Sequence, residues 1–549
     1  MGRRGWLAAA VVAVAGVLGC SAHGSDDGAV STEQDLTSLV GEERGIHFDG
    51  EVMVPVGAAD DHIAWTIARQ VKTALGALRG EEVSLNDRDA DNAKDPAKWT
   101  VSPVEVVDPS DPTTIQRELW RVRYRYDDRA VVTDDLHGAS TVSFVMLSGD
   151  YAAHADDLRT YCSDDRDADT DSLWYHFEPQ RYSCRQQIDA ERTEIADERS
   201  ALGDDPGLMG PTEAGRWFLP VTAGLDPAQV PAEEAYPEYH RLFDLAGQRG
   251  ELIIYAYLGV DGYGPEAPYD PNDILAREAM KFYRAVLRGQ PNFRPVHTAP
   301  FAWLLDVYVH DRKVEGVTYD QMLTWVIDDT DYPPEAAGDR AAKDDLRRQA
   351  LAKFAERWIY WDLPIEVTQG DATKRIKVQL RSYFGREDGD PTVRQRAQWR
   401  YLEAFWHGDV FLYSGHSHFG HGPLDPGLYG SHNFNERYQI MLVNSCISFN
   451  YYSQDFIDMK PGGSQNLEVV VNGLPSYVRD GGVSTAALLL GLLSPTPKSY
   501  RQLLDDMQVD LGWWGPNYDP MRVVDGELDN DFSQAAEPLS VTVLPPVYP

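Results

Sequence analysis

From about Tyr239 to the C-terminus the chain alternates short, unbroken apolar runs with longer stretches of helical period, and this constrains its fold more than any other feature. Leu252 to Gly259 (LIIYAYLG), Val410 to Tyr413, Ile440 to Val443 and Val469 to Val471 contain no charged residue. A strand apolar on both sides of its pleat must be covered on both faces, the environment of a parallel sheet. Asp273 to Leu287 reads as a helix with Asp273 as its N-cap, Val393, Ala397, Leu402 and Phe405 mark a second, and Val483 to Leu493 a third. Asp371 falls in a turn between Ile365–Val367 and Ile376–Leu380, which predicts a hairpin. Residues 239–549 are therefore expected to form an α/β domain with an open, largely parallel sheet flanked by helices. Ile46 to Ala201 has a different texture, with a helix at Ile63–Leu78 and strands at Leu119–Arg125 and Ser140–Leu147, and predicts a smaller mixed α/β domain of its own. Leu202 to Glu238, rich in Pro, Gly and Ala, reads as the linker. There is no internal repeat.

In open α/β sheets the working groups stand just past the carboxyl ends of the strands. Asp409-Val410-Phe411-Leu412-Tyr413-Ser414-Gly415-His416 runs one apolar strand into a histidine, and Gln439-Ile440-Met441-Leu442-Val443-Asn444-Ser445-Cys446 runs another into a thiol. On neighbouring strands these would set imidazole and thiol at one sheet edge, as nucleophilic catalysis requires. The two blocks resemble the His and Cys blocks of the caspase, metacaspase, legumain, clostripain and gingipain superfamily, where apolar runs precede Gly-His-Gly and Asp-Ser-Cys. Tyr413-Ser414-Gly415-His416 matches the first block and Asn444-Ser445-Cys446 the second, with Asn for the commoner Asp. The resemblance extends from about Leu252 to Leu493, and the N-terminal body lies outside it. It implies a caspase-like sheet and a cysteine endopeptidase acting on a peptide or protein substrate without a required cofactor. Cys446 would attack the carbonyl, His416 would move the protons, and the backbone N–H groups of Ser417 and Cys446 would hold the oxyanion. A thiolate paired in this way is expected to react at mildly acidic pH, below the roughly 8.5 of a free thiol. One departure stands out: Ser417 occupies the place of the family's Gly, whose backbone freedom a side chain restricts. That bears on activity more than on fold, and a catalytically inactive caspase-like binding protein is the alternative. His421-Gly422 is a literal His-Gly pair, but it lies well past the strand end.

The N-terminus speaks to location. Arg3 and Arg4 precede an apolar run from Trp6 to Leu18, too short to span a bilayer as a permanent helix and of signal-peptide form. It ends in Val17-Leu18-Gly19-Cys20, which resembles the bacterial lipobox. This implies that residues 1–19 are a lipoprotein signal peptide, that Cys20 carries the lipid, and that the protein is anchored to a bacterial membrane on its extracytoplasmic side. Residues 20–45, rich in Ser, Asp, Gly and Glu, read as a flexible tether. The chain has four cysteines, and with Cys20 lipidated three remain in an oxidising compartment. Cys162 and Cys184 are close in sequence and are expected to pair, stabilising the fold by about 3 kcal/mol. Cys446 is then the odd thiol, either inert or kept for chemistry.

The remaining signals set limits. Lys and Arg number 50 against 87 Asp and Glu, a formal charge of −37, which disfavours nucleic acid and anionic headgroups as partners. A hydrophobic content of 43% with fourteen tryptophans excludes a disordered chain. His416-x-His418-x-x-His421 resembles the H-x-H-x-D-H zinc motif of metallo-β-lactamase-like hydrolases, so a zinc-dependent hydrolase using His416, His418, His421 and His432 is the rival reading. Gly420 stands where that motif has its Asp, and no histidine follows His432. Asp167, Asp169, Asp171 and Glu178 nearly fit a calcium loop, with Ser172 at the Gly position, and are the calcium candidates. The lipid anchor is directly testable. Cys20→Ser should leave the precursor unprocessed or release the protein from the membrane fraction; a mature, membrane-bound variant in cell fractionation would refute the lipobox reading.

Overall fold

The computed structural model describes residues 35–545 apart from 88, 204, 228–234, 261–266, 296–316, 477 and 511–517. The signal segment, Cys20 and most of the expected tether lie outside the described residues. The larger of two sheets has ten strands, and its centre is parallel: Leu467–Asn472, Gln439–Asn444, Val410–Ser414, Glu251–Val260 and Ala372–Arg386, in that spatial order. Antiparallel strands finish both edges, Arg522–Asp525 and Leu36–Thr37 on one side, Arg357–Gln369 with Arg294–Pro295 and Leu539–Val543 on the other. The α/β class and the hairpin are as expected, with Gln369 paired to Ala372 across the turn.

Alternation along the first central strand shows why its sequence is apolar throughout. Leu252, Ile254, Ala256 and Leu258 enter one core, shared with Phe243, Met280, Trp325 and Leu489 on covering helices. Ile253, Tyr255 and Tyr257 enter the other. The helix Ile274–Gly289, capped by Asp273 Oδ1 accepting from the N–H groups of Leu275 and Ala276, packs closely against Val478–Leu492. At their contact a Cβ on Gly482 would stand 2.0 Å from the Glu278 carbonyl, so only glycine fits.

The second sheet has seven strands, ordered Thr141–Leu147, Phe218–Leu225, Gly41–Pro55, Asp111–Thr133, Thr100–Asp108 and Leu208–Met209, with Val83–Leu85 added to the long Asp111–Thr133 strand. The helix Asp60–Arg79 buries Ile63, Ile67, Val71, Ala74 and Leu78. Three boundaries differ from the sequence reading. Phe218–Leu225 lies inside the expected linker 202–238 yet pairs with both neighbours, burying Val221, Ala223 and Leu225 at period two. Pro220 and the surrounding small residues hide that strand, because proline ordinarily argues against one. The expected tether 20–45 is ordered at its end, with Leu36 and Thr37 paired to Val524 and Val523 and the next strand starting at Gly41. Its charges are matched by distant ones, Arg129 lying 2.7 Å from Asp35, 3.1 Å from Glu43 and 3.4 Å from Asp525, which composition alone cannot reveal.

The third difference is that residues 46–201 and 239–549 do not have separate cores. Phe48, Val71 and Tyr126 belong to the same apolar cluster as Tyr255, Tyr413 and Val443. Asn450 ties the halves through its amide, which donates to the Leu85 carbonyl and accepts from Ser84 Oγ at 3.1 Å. Cys162 and Cys184 form the expected disulfide, and among the described residues no helix is long and apolar enough to cross a membrane. Gly482→Ala should lower the unfolding free energy in urea by about 1–3 kcal/mol through overpacking, whereas Gly138→Ala, with open space around it, should change little.

Candidate functional site

The strands that precede His416 and Cys446 are parallel neighbours in register, Tyr413 opposite Val443 and Ser414 opposite Asn444. Each candidate residue stands two positions beyond that last aligned pair, at the same edge of the sheet. Both line two adjoining cavities. The inner one, about 60 Å³, is walled by Leu258, Glu278, Asn444 and Ser476. The outer cleft, about 580 Å³, adds Tyr175, Asp388, Arg394, Ser417, His418 and Phe419.

Asn444 explains itself by its bonds. Buried in full, its amide donates to Ser484 Oγ at 2.8 Å, Thr485 Oγ1 at 3.2 Å and the Gly481 carbonyl at 3.3 Å, while its carbonyl accepts from Asn472 at 2.9 Å. A carboxylate has no N–H to give in that position. Beyond it the chain turns sharply, Ile447 taking φ +45°. Cys446 Sγ donates to the Ser476 carbonyl at 3.3 Å. Burial pushes the thiol above its ordinary value; hydrogen bonding with Ser476 and the charge of Arg79 offset this only in part. That direction runs against the expectation of a resting thiolate at mildly acidic pH.

On the histidine side, the backbone obstacle expected at Ser417 is absent. Ser417 has φ −75° and ψ −18°, ordinary right-handed geometry, and its carbonyl accepts from Tyr452 at 2.5 Å. The left-handed conformations fall one step later, at His418, Phe419 and Gly420. The residue that organises this loop is one the sequence reading missed. Glu387, buried just past the strand Ala372–Arg386, accepts from Tyr401 Oη at 2.9 Å and from the His416 backbone N–H at 3.4 Å, and lies 3.3 Å from His418 Nε2. Tyr413 Oη bridges Glu387 (2.8 Å) and the His416 carbonyl (2.7 Å). Burial acts to raise the Glu387 carboxyl, but the His418 hydrogen bond, the charges of His418 and His416, and Tyr413 outweigh it and hold the group below its ordinary value. A carboxylate directly after a central strand was the available cue. The other missed contributor comes from the N-terminal half. Tyr175 reaches the outer cleft, its ring 4.7 Å from Phe419 with the Arg79 guanidinium 4.6 Å from its centre.

The metal readings fare differently. Among the described residues, Glu238, His240 and Asp531 form the group whose ligand atoms all approach within 4.8 Å; His416, His418 and His421 form none. His418 is turned to Glu387 and Asp388, His421 faces Asp425 at 3.5 Å, and His432 is exposed in the short turn Ser431–Asn433. The calcium candidates do not converge either. Asp167, Asp169 and Asp171 are exposed, Asp169 caps the Ser172 N–H at 2.7 Å, and Glu178 is matched by Arg181 at 3.3 Å and Arg79 at 3.8 Å. Arginine neutralises the carboxylate that a calcium loop would need at its end.

No protein-family model, curated protein or solved structure matches the chain. The Glu387 network makes its own prediction. A carboxyl held below its unfolded value adds stability that is present at neutral pH and lost as pH falls through the folded value. Glu387→Gln should therefore cost about 2–3 kcal/mol at neutral pH. That difference from wild type should shrink in urea titrations well below the ordinary glutamate value of about 4.3.

Proposed function

We propose that the chain is an exported, lipid-anchored cysteine endopeptidase of the caspase and gingipain kind, hydrolysing peptide bonds through Cys446 and His416. The observation that carries the reading is that two adjacent parallel strands end beside one pair of cavities lined by both residues. The raised thiol sets the order of events. As Cys446 Sγ forms its bond to the scissile carbonyl carbon, His416 takes the thiol proton and the carbonyl electrons move to oxygen. Backbone N–H groups of Ser417 and Cys446 stabilise that oxyanion. His416 then protonates the leaving amine as the C–N bond breaks, leaving a thioester. Water, deprotonated by His416, releases the acid and restores the thiol. Glu387 is a positioning residue, since it holds the backbone and charge of the histidine loop.

The raised thiol also favours a second reading, a caspase-like binding protein without activity. Hydrolysis of a mixed fluorogenic peptide library separates the two. The peptidase reading expects turnover that falls by about 10³-fold or more in both Cys446→Ala and His416→Ala. Absence of turnover in the wild type favours the binding protein. Iodoacetamide labelling of Cys446 should accelerate only at a pH above that of an ordinary thiol, and fast labelling in mild acid would mean an ion pair at rest.

A further inference from the structure

A second cluster stands at the opposite, amino-terminal edge of the large sheet. Glu238 is 3% exposed and precedes the helix Tyr239–Arg249, which leads into the central strand Glu251–Val260. Its backbone N–H donates at 2.9 Å to Tyr438 Oη, and Tyr438 directly precedes the strand that ends before Cys446. One carboxylate oxygen, Oε1, is used by the backbone N–H groups of Asp531 and Phe532. The other, Oε2, lies 2.9 Å from His240 Nδ1, yet both atoms are buried and neither has a hydrogen-bond partner. The two buried atoms stand close enough to serve as ligands of one ion. Two ligands on one tetrahedral ion with bonds of about 2.0–2.1 Å stand about 3.3 Å apart, so a small opening of that separation admits the ion. Asp531 completes the group from the solvent side: one ligand atom from each of the three residues lies within 4.8 Å of the others, and its side chain is 88% exposed. The ring of Phe532 stacks on His240 at 5.9 Å and fixes the imidazole plane. Behind them Glu468 is fully buried, and the charge of Glu238 bears on it directly.

We propose that Glu238, His240 and Asp531 bind one divalent transition-metal ion, of the zinc class, and so fasten the C-terminal segment around Asp531 to the amino edge of the sheet. Imidazole with two carboxylates selects such an ion over calcium or magnesium, which take oxygen ligands. The exposed side leaves room for water as a fourth ligand. The assignment is independent of the peptidase reading and lies at the other end of the strands. Isothermal titration of chelator-stripped, full-length protein tests it with zinc chloride and calcium chloride as probes, together with thermal unfolding. One zinc per chain, a zinc-dependent rise in Tm and no calcium uptake are expected. His240→Ala and Asp531→Asn should each weaken zinc binding at least about tenfold, while His418→Ala and His421→Ala should keep it. Asp531 is exposed, so its variant remains informative if His240→Ala fails to fold. Absence of zinc uptake by the wild type, or uptake that survives both His240→Ala and Asp531→Asn, overturns the proposal. So does uptake lost with His418 or His421.

Discussion

A parallel strand with apolar side chains on both faces has no side to offer water, and four of them side by side demand two complete coverings. Much of this molecule follows from that demand. One face is closed by helices that include Tyr239–Arg249, Ile274–Gly289 and Val478–Leu492. The other is closed by Pro391–His407, Phe449–Met459 and the N-terminal sheet with its helix. The N-terminal half thus belongs to the same apolar cluster as Tyr255, Tyr413 and Val443. The same arrangement carries Tyr175 to the cleft at the carboxyl edge, and Gly76 helps hold it there. A Cβ at Gly76 would stand 2.1 Å from the Trp174 carbonyl, so the helix and the Tyr175 segment meet only because that side chain is missing.

At the site, rigidity comes from two polar centres of opposite kind. Asn444 is a donor hub that fixes the start of the cysteine turn against Val478–Leu492. Glu387 is an acceptor hub that gathers two tyrosines, a histidine and the backbone of His416. Each is fully engaged, as buried polar groups must be if they are to specify one arrangement. The left-handed residues His418, Phe419 and Ile447 sit between these anchors, where the surrounding bonds impose a backbone that sequence preference alone would not choose.

How much of this was legible in the sequence depended on how local the cause was. The central strands announce themselves because double-sided burial writes an unbroken apolar run. The caps and the hairpin do so because their determinants lie within a few residues. His416 and Cys446 were found by position, each following such a run. Glu387 was not, since its partners Tyr401, Tyr413 and His418 become neighbours only in the folded sheet. Phe218–Leu225 was read as linker because Pro220 contradicts a strand that two flanking strands nevertheless impose. Asp35 and Glu43 looked like tether because the arginine that neutralises them is Arg129, far along the chain. The histidine and aspartate motifs erred the other way, since spacing that suits a metal says nothing about which side chains turn inward.

The pairing of Leu36 and Thr37 at the rim of the large sheet has a mechanical side. Tension applied to the chain at Asp35 meets a two-residue ladder too short to bear much load and passes to the ion cluster behind it. Arg129, on the long strand of the smaller sheet, grips Asp35, Glu43 and Asp525 together, so a pull is shared between both sheets at their seam. Asp525 lies opposite Val469, near the start of its neighbouring strand, whereas Cys446 stands beyond the end of the next one. Such a load would be spent across the length of the sheet from the loops that carry His416 and Cys446.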